Sequence, residues 1–229
     1  MINFDELIKN YVNREEKPRK IGRYYPSEIG GCLRKLWFSY KYPKKVKTDL
    51  LKIFEIGNIV HNFVVDVLKS EKNPSVELLS AEEPFLVKMK DFIISGRIDD
   101  LILVKSSNKK VMIEVKSIGD INSIKTAKPQ HRMQLQLYMF ATKIRNGVIL
   151  YIDKKNLKSK VFTIPYDESE ALYVLERFSL LHKHLKEGTP PKPEAKLDPK
   201  KSWICQYCEY KDECNKLDGV ILNEKNKKN

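Results

Sequence analysis

The 229-residue chain has little cysteine, little acid and no long apolar run. No apolar stretch approaches the roughly 20 residues a bilayer-spanning helix requires. The opening residues, Met1 to Asn10, have no apolar core of the secretory-leader kind. These absences lead us to expect a soluble, cytoplasmic protein. Only four cysteines are present, and three of them, Cys205, Cys208 and Cys214, crowd one short segment. In an intracellular chain that distribution reads as metal binding more than as a disulfide framework. Acid is short too: 30 Asp and Glu stand against 43 Lys and Arg, a formal net charge of +13. A polyanionic partner fits, held by salt-sensitive and sequence-independent phosphate contacts. A lysine-biased proteome yields the same excess. The length suits one substantial domain, alone or with a small appendage.

The stretch from Gly96 to Lys116 organises the chain. Two apolar segments, Ile98–Val104 and Val111–Val115, flank a polar turn at Ser106-Ser107-Asn108-Lys109 and read as a β-hairpin. Asp99 lies near the start of the first strand and Glu114 near the end of the second, so an antiparallel pair brings them together. Side chains two apart on a strand share a face, so Glu114 and Lys116 point one way and Ile113 and Val115 the other. Charges at strand ends are ordinarily solvated. Charges that alternate with apolar residues inside a strand are costly unless they are paired or ligating. Two carboxylates and an ammonium on a rigid scaffold suit a hard divalent cation and an attacking water.

Phe4–Val12 patterns as a short helix, and Glu15–Lys20 as a charged connector. Ser27 is placed to cap a helix reaching Tyr40, with Cys32 in its first turns as a small core residue. Asp49 opens the longest helical pattern, Leu50 to Lys69. It contains Gly57, a place for close approach, and His61, which alone reads as a core histidine or a ligand. Strand material follows at Val76–Leu79, Pro84–Met89 and Phe92–Ser95. After the hairpin, Ser117–Lys128 is a polar loop. Pro129 starts a helix to about Arg145, ended by Asn146-Gly147. On it His131, Gln134 and Tyr138 share a face. Strands at Val148–Ile152 and Lys160–Ile164 precede a last long helix capped by Asp167 and Glu170. His182 and His184 read as surface residues. Gly188 to Pro193 is an extended linker, Cys205 to Cys214 form a C-x₂-C-x₅-C run, and Asn215–Asn229 is a frayed polar tail. That run fits iron–sulfur ligation with distant Cys32 better than the paired knuckles usual for structural zinc.

Taken together, His61, then Gly96-x-x-Asp99, then Glu114-Val115-Lys116, then Gln134-x-x-x-Tyr138 resemble the RecB-type branch of the PD-(D/E)XK nucleases. With Cys32, Cys205, Cys208 and Cys214 the chain is similar to the CRISPR-associated RecB-like exonucleases, the fourth Cas family. Ser27 ahead of Cys32 and Arg34 is similar to that family's opening motif, and the likeness runs from Pro26 to Cys214.

The resemblance implies an α/β fold: a restriction-endonuclease-like α-β-β-β-α-β core with a mixed sheet flanked by helices. Residues 1–48 would form an N-terminal helical segment, 49–187 the core, 188–214 the linker and cysteine element, and 215–229 the tail. It implies a metal site of His61, Asp99, Glu114 and the Val115 carbonyl for Mg²⁺ or Mn²⁺. Lys116 would act on the water and the scissile phosphate, with Gln134 and Tyr138 bracing the site or touching DNA; Asp100 points to the opposite face and is not assigned. The four cysteines would hold a [4Fe-4S] cluster. The implied activity is trimming of single-stranded DNA from a 5′ end during CRISPR adaptation, with the adaptation integrase as partner. Tyr24, Tyr25 and Trp37 are candidates for stacking on bases, although Trp37 fits a core better. A repair, recombination or virus-borne nuclease, a non-catalytic DNA-binding module and a zinc-stabilised nuclease are the other readings. The sequence does not give an oligomeric state.

Overall fold

The structure is a computed structural model describing residues 2–13 and 18–226. Part of the expected 15–20 connector and the last three tail residues lie outside the described residues. In order, the chain forms α1 (Phe4–Val12), β1 (Arg23–Tyr24), a 3-10 turn (Pro26–Glu28), α2 (Leu33–Lys41), α3 (Thr48–Lys69), β2 (Val76–Lys88), β3 (Ile93–Val104) and β4 (Lys109–Ile118). A second 3-10 turn (Ile121–Ser123), α4 (Pro129–Thr142), β5 (Asn146–Asp153), β6 (Ser159–Pro165), α5 (Glu168–Glu187), α6 (Glu194–Leu197), α7 (Trp203–Gln206) and α8 (Lys211–Asn226) complete it.

The strands make one mixed sheet of six, with β3 as its trunk. β2 runs antiparallel along one edge of β3, from Val76 opposite Val104 to Lys88 opposite Ile93. The other edge is shared. β4 pairs antiparallel with it only from Val104–Lys109 to Asp100–Ile113, and β1 pairs parallel with Ile93 and Ile94. Residues 95–99 of β3 therefore have no strand partner on that edge, and the sheet forks there. β4 continues parallel to β5 as far as Ile118 opposite Asp153, with α4 as the crossover helix, and β6 closes the far edge.

Side-chain alternation sorts β4 between two layers. Ile113 and Val115 pack with Val60 and Val64 of α3 on one face. Met112 packs with Leu135 and Met139 of α4 on the other. Glu114 and Lys116, in step with Met112, therefore face α4. Beyond α4 a third layer of α2 and α5 encloses Tyr24, Trp37, Phe178 and Leu181. Arg177 of α5 is a buried clamp in that layer. It donates to the Ile29 and Gly31 carbonyls and to both oxygens of Glu194. Glu194 in turn accepts the Leu33 N–H at 3.0 Å, capping α2 where the preceding Cys32 supplies no side-chain cap.

Several expectations need correcting. Ser27 does not start a long helix: it sits in the first 3-10 turn, and α2 begins only at Leu33. The two strands expected between Val76 and Met89 are one strand, kept in register by a bulge between Leu78 and Ser80. α4 stops at Thr142, with Lys143 left-handed at φ 61°. Asn146-Gly147 opens β5 instead of ending α4, because a Cβ at Gly147 would come within 2.9 Å of Leu135 and 3.0 Å of Met139. Gly57 is not a tight approach, since its nearest neighbour would stand at 3.9 Å. Residues expected to fray after Asn215 continue α8, whose first turn carries Asp212 and Glu213 at the favourable end of the helix dipole. Tyr24 is fully buried and donates or accepts at His182 Nδ1, 2.8 Å away, so neither residue is a free surface group.

The N-terminal layer docks on α4 through Gly30. A Cβ there would lie 2.3 Å from Gln130 Cβ and 2.5 Å from its Cα, a backbone contact with no flexible end to yield. Gly30→Ala is expected to cost about 1–3 kcal/mol as an overpacking change. For a chain of this size each kcal/mol lowers the melting temperature by about 2–4 °C. Gly31→Ala, whose Cβ meets only a carbonyl at 3.9 Å, should leave it nearly unchanged. Thermal unfolding of the two variants checks the contrast.

Candidate active site

The fork in the sheet creates the site. Where the β3–β4 ladder stops, the carboxylate of Asp99 takes over the vacated position and accepts the Val115 N–H at 2.8 Å. Asp99 is thereby fixed between the strands. Glu114 lies one residue before that amide, completely buried, and Lys116 Nζ forms an ion pair with its Oε1. Both Glu114 oxygens are otherwise without a hydrogen bond.

The electrostatics follow from burial. Desolvation, reinforced by the nearby Asp99 charge, pushes Glu114 up to about 8 despite Lys116. Asp99 is also raised by burial, against the opposing pull of Lys116 and the Val115 amide. Burial alone would lower Lys116, but Glu114 and Asp99 outweigh it, so its pKa is raised and it stays an ammonium.

α4 closes the site from the side. Gln134 Nε2 donates to Tyr138 Oη at 2.7 Å, and both residues are buried. Burial and the Glu114 charge raise the Tyr138 phenol, so it remains protonated. His131, expected to share this face, turns to Tyr151 instead. The Tyr151 hydroxyl accepts the Lys128 N–H at 2.9 Å and lies 2.9 Å from His131 Nδ1. Burial, with Lys116 and Lys128 nearby, drives His131 down to about 3, so it is neutral. Asp99, Gln134 and Tyr138 line one open cleft together with Arg23, Tyr25 and Ser27.

His61 reaches the site from α3, on the opposite side of the sheet from α4. Its Nε2 lies 3.3 Å from Asp100 Oδ1, and that hydrogen bond is the main reason its pKa is raised. Asp100 is fully buried, and its Oδ2 has no partner. The sequence reading set Asp100 aside because it faces away from Asp99. The faces are as expected, yet Asp100 faces the side from which His61 comes. The signal available in the sequence was the paired acid, Asp99-Asp100, opposite a histidine-bearing helix.

Among the described residues, no group of three His, Cys, Asp or Glu side chains is arranged to hold a metal ion. Each candidate is drawn to a protein partner: Asp99 to the Val115 amide, Glu114 to Lys116 and His61 to Asp100. The donor chemistry nevertheless fits a divalent cation, because both oxygens of the buried Glu114 carboxyl, beside Asp99, have no hydrogen bond.

The cysteines lie elsewhere. Cys32, Cys205, Cys208 and Cys214 all line one cavity, with Arg34, Lys35, Lys196 and Lys211 around it. Arg34 Nη1 is 3.6 Å from Cys214 Sγ, and its Nε donates to the Pro191 carbonyl at 2.6 Å. The segment from Gly188 to Pro193 is therefore docked through Pro191. Burial raises the thiols of Cys205 and Cys208.

The family model of the PD-(D/E)XK nuclease superfamily matches residues 29–215. The chain belongs to that superfamily. The match takes in the fork, α3, α4 and all four cysteines. A CRISPR-associated exonuclease Cas4 from Saccharolobus solfataricus (strain ATCC 35092 / DSM 1617 / JCM 11322 / P2) is 24% identical over 191 residues, covering 83% of this chain and 86% of that protein. The crystal structure of SSO0001 aligns with a TM-score of 0.56 at 20% identity, covering 90% of both chains, which shows a shared fold. A phage-related exonuclease from Haemophilus somnus 129PT aligns over 68% of this chain and 79% of its own, with a TM-score of 0.49 and 17% identity. The mixed sheet flanked by helices is thus the nuclease fold of the superfamily.

The raised Glu114 carboxyl gives this nuclease a pH signature when divalent metal is removed by chelator. The folded state holds that proton to about pH 8, whereas an unfolded glutamate releases it near its ordinary value of 4.5. Proton uptake by the folded state stabilises it fully below the lower value, and this contribution is lost as pH rises through the upper one. Metal-free wild type is expected to lose thermal stability between these limits, and Glu114→Gln to show a flatter profile. Melting curves across that range in chelator check it.

Proposed function

We propose that this nuclease is a metal-dependent DNA exonuclease that hydrolyses phosphodiester bonds in single strands from the 5′ end. We further propose that it prepares fragments for CRISPR adaptation, with the adaptation integrase as partner. The observation that carries the reading is Glu114, wholly buried, paired with Lys116 and set beside Asp99 at the fork. The Cas4 relative, named an exonuclease, and the basic charge of the chain support DNA as the substrate.

In this reading Asp99 and Glu114, with His61 and the Val115 carbonyl, hold Mg²⁺ or Mn²⁺. A divalent ion there polarises the phosphate and supplies a hydroxide-like nucleophile. Lys116 contributes a fixed positive charge that stabilises the negative charge growing on the scissile phosphate. Burial and the Glu114 charge keep the Tyr138 phenol protonated against the opposing Gln134 hydrogen bond, so it adds no charge that would repel a phosphate. Asp100 accepts from His61 and so orients its ring, the usual task of a carboxylate behind a ligating histidine. Tyr25, exposed at the cleft, offers a face for a base.

Lys116→Ala should lower cleavage of end-labelled single-stranded DNA by about 10²–10³-fold, the scale for losing one charge-stabilising donor. Product ladders from each labelled end, with Mg²⁺, Mn²⁺ or chelator, report polarity and metal dependence. Cleavage that persists in chelator would defeat the reading.

The cysteine cavity is proposed to hold a [4Fe-4S] cluster on Cys32, Cys205, Cys208 and Cys214. Four thiols on one cavity with cationic neighbours suit a cluster carrying net negative charge. Anaerobically purified protein is expected to be brown. Cys208→Ala should lose the broad visible absorption and melt several degrees lower, as scored by absorption spectra and thermal unfolding.

A further inference from the structure

Arg34 occupies a position that local rules disfavour. It lies in the first turn of α2, where the helix dipole opposes a cation, and it is only 5% exposed. A buried charge is costly unless it is paired. Its partners all come from the far end of the sequence. Nε donates to the Pro191 carbonyl at 2.6 Å, and Nη1 pairs with the Asp218 carboxylate. The same Nη1 donates to Cys214 Sγ at 3.6 Å. Asp218 is shared, because Lys196 Nζ stands 2.6 Å from its other oxygen. Two cations therefore divide one negative charge, and both line the cysteine cavity. No carboxylate lines it among the described residues. Lys35, also on the cavity, has its own partner in Glu209. Positive charge in excess thus faces the four thiols.

We propose that Arg34 is the positioning residue for Cys214, holding its sulfur in place as a cluster ligand and stabilising negative charge on it. This rests on the [4Fe-4S] reading of the cavity. Net charge and hydrogen bonds to the ligand sulfurs are among the factors that set a cluster's potential. A donor to sulfur favours the reduced, more negative state, so Arg34 raises the potential. Asp218 opposes it, because its carboxylate draws on the same nitrogen and adds negative charge beside the cavity. Lysine is no substitute here. It keeps the charge but lacks the planar fork that reaches a carbonyl, a carboxylate and a sulfur together.

Protein-film voltammetry of the anaerobically purified full chain, with its iron, sulfide and zinc counted, tests the proposal. Arg34→Lys is expected to retain the cluster and make it about tenfold harder to reduce, a downward shift of ~59 mV for one electron. Asp218→Asn is expected to shift the midpoint upward. Both variants break the same ion pair, so opposite signs are not what general loosening would produce. An Arg34→Lys midpoint at or above wild type overturns the proposal. So does an Asp218→Asn midpoint at or below wild type, and that variant decides the matter if Arg34→Lys does not fold. In either case a loaded wild type leaves the cluster reading standing. A colourless wild type that holds zinc and no iron overturns the cluster reading and this proposal with it. None of these readouts depends on whether the protein cuts DNA.

Discussion

Everything at the candidate active site depends on one backbone amide. The β3–β4 ladder ends at Asp100 opposite Ile113, and the next donor on β4 that needs a partner is the Val115 N–H. A buried amide without a partner is costly. Here the carboxylate of Asp99 replaces the missing strand and accepts it. That exchange keeps two strands apart without an orphaned donor. It also carries a carboxylate into the interior, beside the buried carboxyl of Glu114. Lys116 is the compensation, and its position two residues along the same strand follows from the period of the pleat.

Outside the fork, the fold is held by distant partners more than by local propensity. The N-terminal layer is joined to α5 through Arg177, which is bonded to two carbonyls near Gly31 and to Glu194. α2 lacks a side-chain cap of its own and borrows Glu194 from the far end of the sequence. The aromatic cluster of Tyr24, Tyr40, Phe92 and His182 binds the same layers by edge-on contacts. The cysteine element is attached to α2 and α5 through Glu194, and by the stacking of Tyr210 on Phe38.

Periodicity made the long elements legible. α3, α4, α5 and the hairpin that carries Asp99, Glu114 and Lys116 follow directly from apolar spacing. Ser27 could not be placed, because a residue after proline sits inside a short 3-10 turn as readily as at the start of an α-helix. The two-part reading of β2 failed because a bulge at Leu79 and a positive φ at Glu82 let one strand pass through residues that look like a break. Asn146-Gly147 resembles a helix stop, but the glycine is required by Leu135 and Met139 packing across the sheet. Asp100 faces away from Asp99 as expected, and on that side it meets His61. Which face a side chain takes was readable, but not which helix waits on that face. Arg177 and Glu194 were invisible, since their contacts join segments that no local pattern connects.

The cysteine cavity has a consequence for how the protein is made. Cys32 leaves the ribosome well before Cys205, Cys208 and Cys214, which lie far along the same chain. Arg34 and the capped start of α2 wait equally long for Pro191 and Glu194. Contacts so far apart in sequence are slow to form. The sheet and its flanking helices can therefore assemble during translation, while the early thiol stands exposed until the cysteine segment arrives. Oxygen meeting the nascent chain in that interval encounters an isolated cysteine, and a ribosomal stall before Cys205 yields a nuclease core with its thiol set incomplete.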